Sequence, residues 1–253
     1  MSLAIRSIET GEVRQLQPQA PRSCSWPNWA PDGRSLVCVT GTGVIRVDAQ
    51  TGEVTTIASS PAGFTYGLPQ FSRDGKKIYY LKVPKGNETG DNGVIVEREL
   101  SSAAEREVAH GNVYGATLSP DGRYFAVVRS DRSTQSSVMM LIPASGGEAR
   151  ELFRTISPQR LGVDKEWTPD SRSLICWRMS GDTVNVLEAW MYPIDGGAPR
   201  KLDIDTSGVR VSANNPNPIR VHPNGREIAY VATTRANEVS VLENFLPAAK
   251  SAK

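Results

Sequence analysis

A five-fold internal repeat constrains this chain more than any other feature of its sequence. Each copy has an apolar or aromatic residue, a short turn of the Pro-Asp-Gly type, a basic residue and a run rich in β-branched and aromatic residues. The copies are WAPDGRSLVCV (29–39), FSRDGKKIYYL (71–81), LSPDGRYFAVV (118–128), WTPDSRSLICW (167–177) and VHPNGREIAYV (221–231). Successive copies begin about 40 to 55 residues apart, which is the period of a propeller blade or a solenoid unit.

The turn inside each copy has a physical explanation. Proline presets φ, Asp or Asn bonds its own backbone, and glycine adopts a positive φ that other residues resist. With one acidic or amide residue per repeat, each in a separate turn, we assign these residues a structural role and not metal ligation. They are Asp32, Asp74, Asp121, Asp170 and Asn224. Ser171 replaces glycine in the fourth copy, which predicts a turn that is strained or of another type.

A second signature follows the first along the chain. It reads VMMLIPASGGEARELF (138–153) and AWMYPIDGGAPRKL (189–202), and it is typical of a strand, a glycine-containing turn and a short strand. The two signatures together predict four antiparallel strands per unit. No segment has a sustained 3.6-residue apolar period, so helices should be few. The sequence therefore predicts an all-β β-propeller of four-stranded antiparallel blades, with five repeats visible.

We interpret residues 1–253 as one propeller domain. Its repeat units are about 1–17, 22–58, 62–109, 113–153, 160–202 and 216–247, and the first of these is partial. The partial unit indicates either a chain truncated at its N-terminus, which we favour, or a ring that tolerates one extra strand. Alignment of the copies predicts two sets of buried residues, namely Leu36, Ile78, Phe125, Leu174 and Ile228, and Cys38, Tyr80, Val127, Cys176 and Tyr230.

A polar residue precedes the apolar residue that begins each copy. The innermost strands of a propeller converge on an axial channel, where ligands are expected to bind. We therefore hypothesise that these polar residues face the channel or its rim and select its ligand; the alternative is that they only hydrate the channel. They are Asn28, Gln70, Thr117, Glu166 and Arg220. Trp29, Trp167 and Trp177 occupy repeat positions, so we expect them to pack between blades.

Several classes of function are excluded by composition and by the motifs that are missing. Lys+Arg 29 against Asp+Glu 27 leaves a net charge of +2, too little to attract nucleic acid, and no run of about 18 apolar residues exists to enter a membrane. The sequence lacks GxSxG, HExxH and P-loop motifs, so we expect no catalytic residue, metal or cofactor. His110 and His222 are interpreted as a loop residue and a turn residue.

The number and positions of the cysteines predict buried thiols and not disulfides. Three cysteines, with no CxxC spacing, argue against a disulfide framework or a zinc site. Cys38 and Cys176 lie in apolar runs, and we expect both to be small buried residues. The first residues, MSLAIRSIETGEV, lack the apolar stretch of a secretory signal peptide.

These units resemble the WD-like propeller repeats of the TolB family. The resemblance is carried by WAPDGRSLVCV and LSPDGRYFAVV together with the hairpins SGGEARELF and DGGAPRKL, and it covers nearly the whole chain. It implies a parent ring that usually has six blades. Similar repeats form the substrate-gating propellers of prolyl oligopeptidases and tricorn-type proteases, and the sensor-like C-terminal propellers of bacterial kinases and transcription regulators. The ending EVSVLENFLPA is similar to the terminus of that last group.

The resemblance implies a bacterial, non-catalytic module for protein binding, scaffolding or sensing. Its partner would be another protein or an upstream domain of the same polypeptide. The alternative is the substrate-gating propeller of a prolyl-oligopeptidase-like peptidase whose catalytic domain lies outside this chain. The compartment would be the periplasm for a TolB-like protein and the cytoplasm for the tail of a kinase or regulator.

Overall fold

The computed structural model describes residues 4–6, 13–16, 24–87, 92–113, 115–131, 133–180, 186–203, 220–221 and 228–229. Within these ranges every regular element is a β-strand, so the prediction of an all-β chain is confirmed. No bilayer-spanning helix is found in the described part of the chain.

Four complete blades follow one another along the chain. Blade A contains β3 (Ser25–Trp29), β4 (Ser35–Thr40), β5 (Gly43–Asp48) and β6 (Val54–Ser59). Blade B contains β7 (Phe64–Phe71), β8 (Lys77–Pro84), β9 (Gly93–Glu99) and β10 (Glu105–Gly111). Blade C contains β11 (Thr117–Leu118), β12 (Tyr124–Asp131), β13 (Ser136–Pro143) and β14 (Arg150–Ile156). Blade D contains β15 (Gln159–Trp167), β16 (Ser173–Ser180), β17 (Val186–Pro193) and β18 (Arg200–Lys201).

Each blade is a sheet in which neighbours along the chain pair antiparallel, as predicted for a propeller. Two strand pairs complete the described part: β1 (Ala4–Arg6) with β2 (Val13–Gln15), and β19 (Arg220–Val221) with β20 (Ile228–Ala229). In β19 and β20, Arg220 is opposite Ala229, which matches Thr117 opposite Ala126 in blade C. The fifth copy of the repeat therefore starts in the same register as the third, although most of the unit 216–247 lies outside the described residues.

The second strand of each blade forms the centre of the core because it is covered on both faces. Ile78 and Tyr80 pack with blade A, whereas Tyr79 and Leu81 on the opposite face pack with blade C. Burial on both faces explains why these strands are almost continuously apolar in sequence. Both predicted buried sets are confirmed where the structure describes them, with side chains at most 4% exposed: Leu36, Ile78, Phe125 and Leu174, and Cys38, Tyr80, Val127 and Cys176. Tyr230 and the side chain of Ile228 lie outside the described residues.

Arginines of the outermost strands tie blade B to blade C and blade C to blade D. Arg106 of β10 donates to the carbonyl oxygens of Ala144 and Ser145 in blade C, at 3.1 and 2.8 Å. Arg150 of β14 donates in the same way to the carbonyl of Ile194 in blade D. The arginine of the second signature therefore supplies a bond between neighbouring blades.

The aspartates of the first signature lie in the turns between the first and second strands. In each described turn the carboxylate accepts the backbone N–H two residues later, at 2.9 to 3.1 Å, from Arg34, Lys76, Arg123 and Arg172. In three turns a hydroxyl two residues before also donates to it, at 2.6 Å, from Ser72, Ser119 and Thr168. Asn224 lies outside the described residues.

The turn of the fourth copy has the same conformation as the others. Ser171 has a φ of 60°, next to 66°, 68° and 76° for Gly33, Gly75 and Gly122. Of the two outcomes that we predicted, another turn type is therefore wrong, and a strained backbone is confirmed because a side chain occupies the left-handed region. The Oγ of Ser171, which is buried, accepts the backbone N–H of Asp121 from blade C at 3.0 Å.

Two predictions about blade A are wrong. Cys24 and Cys38 form a disulfide, with their Cα atoms 5.5 Å apart, although the odd number of cysteines had argued against a disulfide framework. The third cysteine, Cys176, is free and buried in blade D, so the odd number of cysteines reflects one disulfide and one free thiol. Trp29 is 46% exposed instead of packed between blades, whereas Trp167 and Trp177 are buried as predicted. Trp167 is covered by the preceding blade C, and no complete blade precedes blade A within the described residues.

Candidate functional site

The innermost strands of blades A, B and D are interrupted at equivalent places. The register shifts between Ser25 and Asn28 in β3, between Gly67 and Gln70 in β7, and between Leu161 and Lys165 in β15. Such bulges redirect side chains and are common at binding sites. In β3 and β7 the bulge places a large side chain in the left-handed region, with a φ of 53° at Trp26 and 49° at Leu68.

A cleft of about 430 Å³ opens between blades A and B at these two bulges. We call it the Trp26 cleft. Its volume falls in the range of roughly 300–1,000 Å³ that is usual for ligand pockets. Trp26, which is 47% exposed, forms part of the wall, and a Cβ on Gly67 would lie only 3.7 Å from its ring. The described lining is Ser25, Trp26, Val39, Thr40, Gly41, Thr65, Tyr66, Gly67, Leu68, Leu81 and Val83.

The polar side chains of the Trp26 cleft are largely engaged within the protein. The Tyr66 hydroxyl donates to the carbonyl of Ser59 at 3.2 Å, and burial raises the pKa of this phenol. The Thr40 hydroxyl donates to the carbonyl of Gly43 at 3.2 Å and accepts the backbone N–H of Thr42. Among the described lining residues there is no histidine, carboxylate, lysine or cysteine. The cleft can therefore hold an uncharged apolar group, and its described walls offer no general acid or base near neutral pH.

Of the five polar residues that we expected at the channel, the four whose side chains the structure describes are not among the lining residues of the Trp26 cleft. Gln70 bridges blades B and C: its Nε2 donates to the carbonyl of Ala116 at 2.9 Å, and its Oε1 accepts the N–H of Leu118 at 2.8 Å. Asn28 is exposed, Glu166 is half-buried in β15, and Arg220 lies in β19 with its side chain outside the described residues.

Thr117 lies where blades C and D meet. Its carbonyl accepts a hydrogen bond of 3.0 Å from the Trp167 indole N–H of blade D. Its own Oγ1 is buried and has no hydrogen-bond partner among the described residues. The structure thus places Gln70 at the interface of blades B and C, and the carbonyl of Thr117 at the interface of blades C and D.

Sequence reasoning missed Trp26 and Leu68, which lie two residues before the polar position. The sequence did contain a signal for these two positions, because both strands have the same pattern of an apolar residue, a proline, an amide and an aromatic residue. The pattern occurs as Trp26-Pro27-Asn28-Trp29 and as Leu68-Pro69-Gln70-Phe71. Proline inside a strand marks an edge or a bulge, since it cannot donate to the ladder. The shared proline therefore indicates where the innermost strand departs from regular pairing.

Lys165 takes the position after the bulge in blade D, where blades A and B have proline. Its Nζ donates to the carbonyl of Gly115 in blade C at 2.7 Å and to that of Val163 at 3.0 Å. Burial lowers the pKa of Lys165 to about 8. Burial also raises the pKa of the nearby Cys176 thiol to about 12, which makes it a poor nucleophile. These two titratable groups therefore belong to the packing between blades C and D.

The described residues contain no group of three or more His, Cys, Asp or Glu side chains that could hold a metal ion. The turn aspartates are one per blade and are occupied by their own turns, which agrees with their separation in the sequence.

No protein-family model matches the sequence, and no curated protein matches it either. Solved structures do match. The structure of TolB from Acinetobacter baumannii is 18% identical, with a TM-score of 0.68 over 92% of this chain and 54% of that chain. An oligogalacturonate lyase in complex with manganese is 13% identical, with a TM-score of 0.64 over 91% of this chain and 64% of that chain. A Mycobacterium tuberculosis puromycin-hydrolyzing peptidase is 18% identical, with a TM-score of 0.59 over 87% of this chain and 38% of that chain.

These matches show that the chain is a β-propeller of the structural type found in TolB and related propellers. The chain spans between about half and two-thirds of the length of the first two matched proteins. Two of the three proteins are named for enzymatic activities, so the shared fold alone does not assign an activity.

Proposed function

We propose that this chain is a non-catalytic binding propeller that holds an apolar segment of a partner protein in the Trp26 cleft. The observation that carries the proposal is the exposed Trp26, in a left-handed backbone, at the wall of an apolar cleft. A left-handed conformation costs a non-glycine residue about 1–2 kcal/mol, and such strain is concentrated at functional sites. Tryptophan is also the side chain that most often anchors a protein interface.

The lining chemistry supports an uncharged ligand. Val39, Leu68, Leu81 and Val83 surround Trp26 without any charged side chain among the described lining residues. A charged ligand would lose its hydration there without gaining a partner, which is unfavourable. An extended peptide with apolar side chains meets no such penalty, so the partner is another protein or an upstream domain of the same polypeptide.

The same chemistry supports a role without catalysis. Acid–base or nucleophilic catalysis needs a titratable or activated side chain within reach of the ligand. Lys165 and Cys176, the strongly perturbed basic and thiol groups, are buried between blades C and D and do not line the Trp26 cleft.

The proposal is tested with two capped tripeptides, acetyl-Leu-Phe-Leu-amide and acetyl-Ser-Gln-Ser-amide, titrated into the protein and followed by ligand-observed NMR. The apolar peptide should bind the wild type, and Trp26→Ala should weaken it at least ~10-fold, since an aromatic anchor contributes about 2 kcal/mol or more. Trp29→Ala is the matched control, because Trp29 is equally exposed but does not line the cleft. Equal binding by Trp26→Ala and wild type, or no preference between the peptides, would contradict the site.

Mass spectrometry of the same mixtures tests the absence of catalysis. Both peptides should be recovered intact, and cleavage that requires the protein would overturn this part of the proposal. The substrate-gating alternative is tested separately by the full reading frame. A GxSxG-bearing hydrolase region next to this propeller would favour a peptidase, whereas a kinase or winged-helix region would favour a binding module.

The proposal includes the compartment. Disulfides persist in oxidising compartments such as the bacterial periplasm and are rare in the cytosol. The Cys24–Cys38 disulfide and the resemblance to TolB therefore both favour the periplasm. Cells denatured directly in the presence of a maleimide should show one labelled cysteine per chain, Cys176, because this thiol is free but buried in the folded protein. Labelling of all three cysteines would contradict this assignment.

A further inference from the structure

We infer that the Cys24–Cys38 disulfide is a redox switch on the Trp26 cleft, in which reduction releases the start of β3 and removes Trp26 from the cleft wall. This inference rests on the proposed function, because it describes how the same site is regulated. The strand β3 is held differently from the other innermost strands.

The strand β3 has weak non-covalent support. All five of its residues are exposed, and it pairs with β4 only at Ser25–Val39, Asn28–Val37 and Trp29–Leu36. Among the described residues, no side-chain hydrogen bond joins β3 to blade B. In contrast, Gln70 bonds blade B to blade C, and Lys165 and Trp167 bond blade D to blade C.

The disulfide lies where backbone pairing fails. Cys38 falls between Val37 and Val39, opposite the bulge at Trp26 and Pro27, so it has no partner residue in β3. The bond from Cys38 to Cys24 crosses this gap and fixes the chain two residues before Trp26. A covalent link therefore takes the place of the ladder that the bulge removes, at the position that carries the cleft wall.

A dithiol can reduce the disulfide by attacking it at Cys24. Cys38 is fully buried, whereas Cys24 is half-buried, so a dithiol reaches the Cys24 sulfur first. A thiolate of the dithiol bonds to Cys24 Sγ while the Cys24–Cys38 bond breaks, and Cys38 leaves as a thiolate that takes a proton. The second thiol of the dithiol then displaces Cys24. The protein disulfide gains two electrons and two protons, and the dithiol is oxidised to its own disulfide.

The oxidised and reduced states differ in how the start of β3 is held. With the bond intact, Trp26 is held over Gly67 and the cleft is formed. Without it, three residue pairs remain to hold an exposed strand, and the segment that carries Trp26 can separate from β4. The core of blades B, C and D does not include either cysteine, so it is unaffected.

The test compares oxidised wild type, wild type reduced with dithiothreitol, Cys24→Ser and Cys176→Ala, each titrated with acetyl-Leu-Phe-Leu-amide. Oxidised wild type and Cys176→Ala should bind alike, and both should lose about 5-fold or more in affinity on reduction. Cys24→Ser should bind at the reduced level with or without dithiothreitol. Unchanged affinity in Cys24→Ser would overturn the switch.

Hydrogen exchange on the same samples separates the switch from the proposed function. Reduction should raise amide exchange at residues 25–29 and leave the second strands of blades C and D protected. If oxidised wild type binds no peptide but exchange at residues 25–29 rises on reduction, the proposed ligand is wrong while the release of β3 stands. If exchange there is the same in both redox states, the switch is wrong whatever the peptide does.

Discussion

The tryptophans Trp29 and Trp167 stand at the same position of the same repeat, in blades A and D, yet their environments are opposite. Trp167 is 4% exposed and donates its indole N–H to the carbonyl of Thr117 in the preceding blade. Trp29 is 46% exposed. The motif determines the turn that follows each tryptophan, because that turn is built from local bonds. The neighbouring blade determines whether the tryptophan is buried.

The same contrast extends along the two innermost strands. β15 is fastened to blade C by the buried Lys165 and by Trp167, whereas β3 is fastened to its own blade by the Cys24–Cys38 disulfide. Blade D therefore uses its innermost strand for cohesion between blades. Blade A leaves its innermost strand exposed, and this strand carries the wall of the Trp26 cleft. Four pairs of variants test this difference, from the largest expected effect to the smallest.

The largest difference is expected between Trp167→Ala and Trp29→Ala. Trp167→Ala should lower the free energy of unfolding by about 3–5 kcal/mol, because it leaves a cavity and an unpaired carbonyl. Trp29→Ala should lower it by about 1 kcal/mol or less, since almost half of the side chain is already in water. Urea denaturation measures both values. Equal losses would mean that Trp29 is covered in solution and that the contrast between the blades is wrong.

The sequence predicted what local chemistry controls. The four-strand units, the aspartate turns and the two buried sets follow from short patterns, and the structure has each of them. The burial of Ile78 and Phe125, for example, requires only that an apolar residue occupy a middle strand that is covered on both faces. Such requirements can be read from a single repeat.

What the sequence did not predict depends on the relation between strands or blades. The amide of Gln70 bonds the backbone of the next blade, and this contact depends on how blades B and C are placed relative to each other. The Cys24–Cys38 disulfide depends on a bulge that brings the two residues together across a gap in the ladder. The Trp26 cleft needs both bulges and both blades. None of these relations is encoded in one repeat copy.

The second expected effect concerns Lys165 and pH. Its pKa is lowered to about 8 by burial, so between about pH 8 and 10.5 the unfolded chain binds a proton that the folded chain does not. The free energy of unfolding therefore rises with pH across this window. The stabilisation is complete above the pKa of the unfolded chain and is lost as the pH falls through 8. The full rise is on the order of 3 kcal/mol.

Urea denaturation at several pH values from 7 to 10 measures this dependence. Lys165→Met should remove the rise, and Lys76→Met, at an exposed turn position, should keep it. A Lys165→Met variant with the same pH dependence as wild type would show that Lys165 is hydrated, and the picture of blade D as fastened by a buried lysine would then be wrong.

The third effect separates Gln70 from Asn28, the amides that occupy one repeat position in blades B and A. Gln70→Ala should cost about 1–3 kcal/mol, because the carbonyl of Ala116 and the N–H of Leu118 lose their partner. Gln70→Glu should recover only part of the loss, since a carboxylate accepts from Leu118 but repels the carbonyl of Ala116. Asn28→Ala should change stability by less than about 0.5 kcal/mol, as expected for an exposed residue. A large loss for Asn28→Ala would indicate that blade A is fastened as blade B is.

The smallest effect is expected at Ser171, where two opposing contributions nearly cancel. Ser171→Gly removes the strain of a left-handed serine, about 1–2 kcal/mol, but also removes the Oγ that accepts the N–H of Asp121, about 1 kcal/mol. The free energy of unfolding should therefore change by only about 1 kcal/mol or less. Ser171→Ala keeps the strain and loses the bond, so it should be destabilised by about 1–2 kcal/mol. If Ser171→Ala is as stable as wild type, the bond to Asp121 contributes nothing, and the strain in this turn has no compensation from blade C.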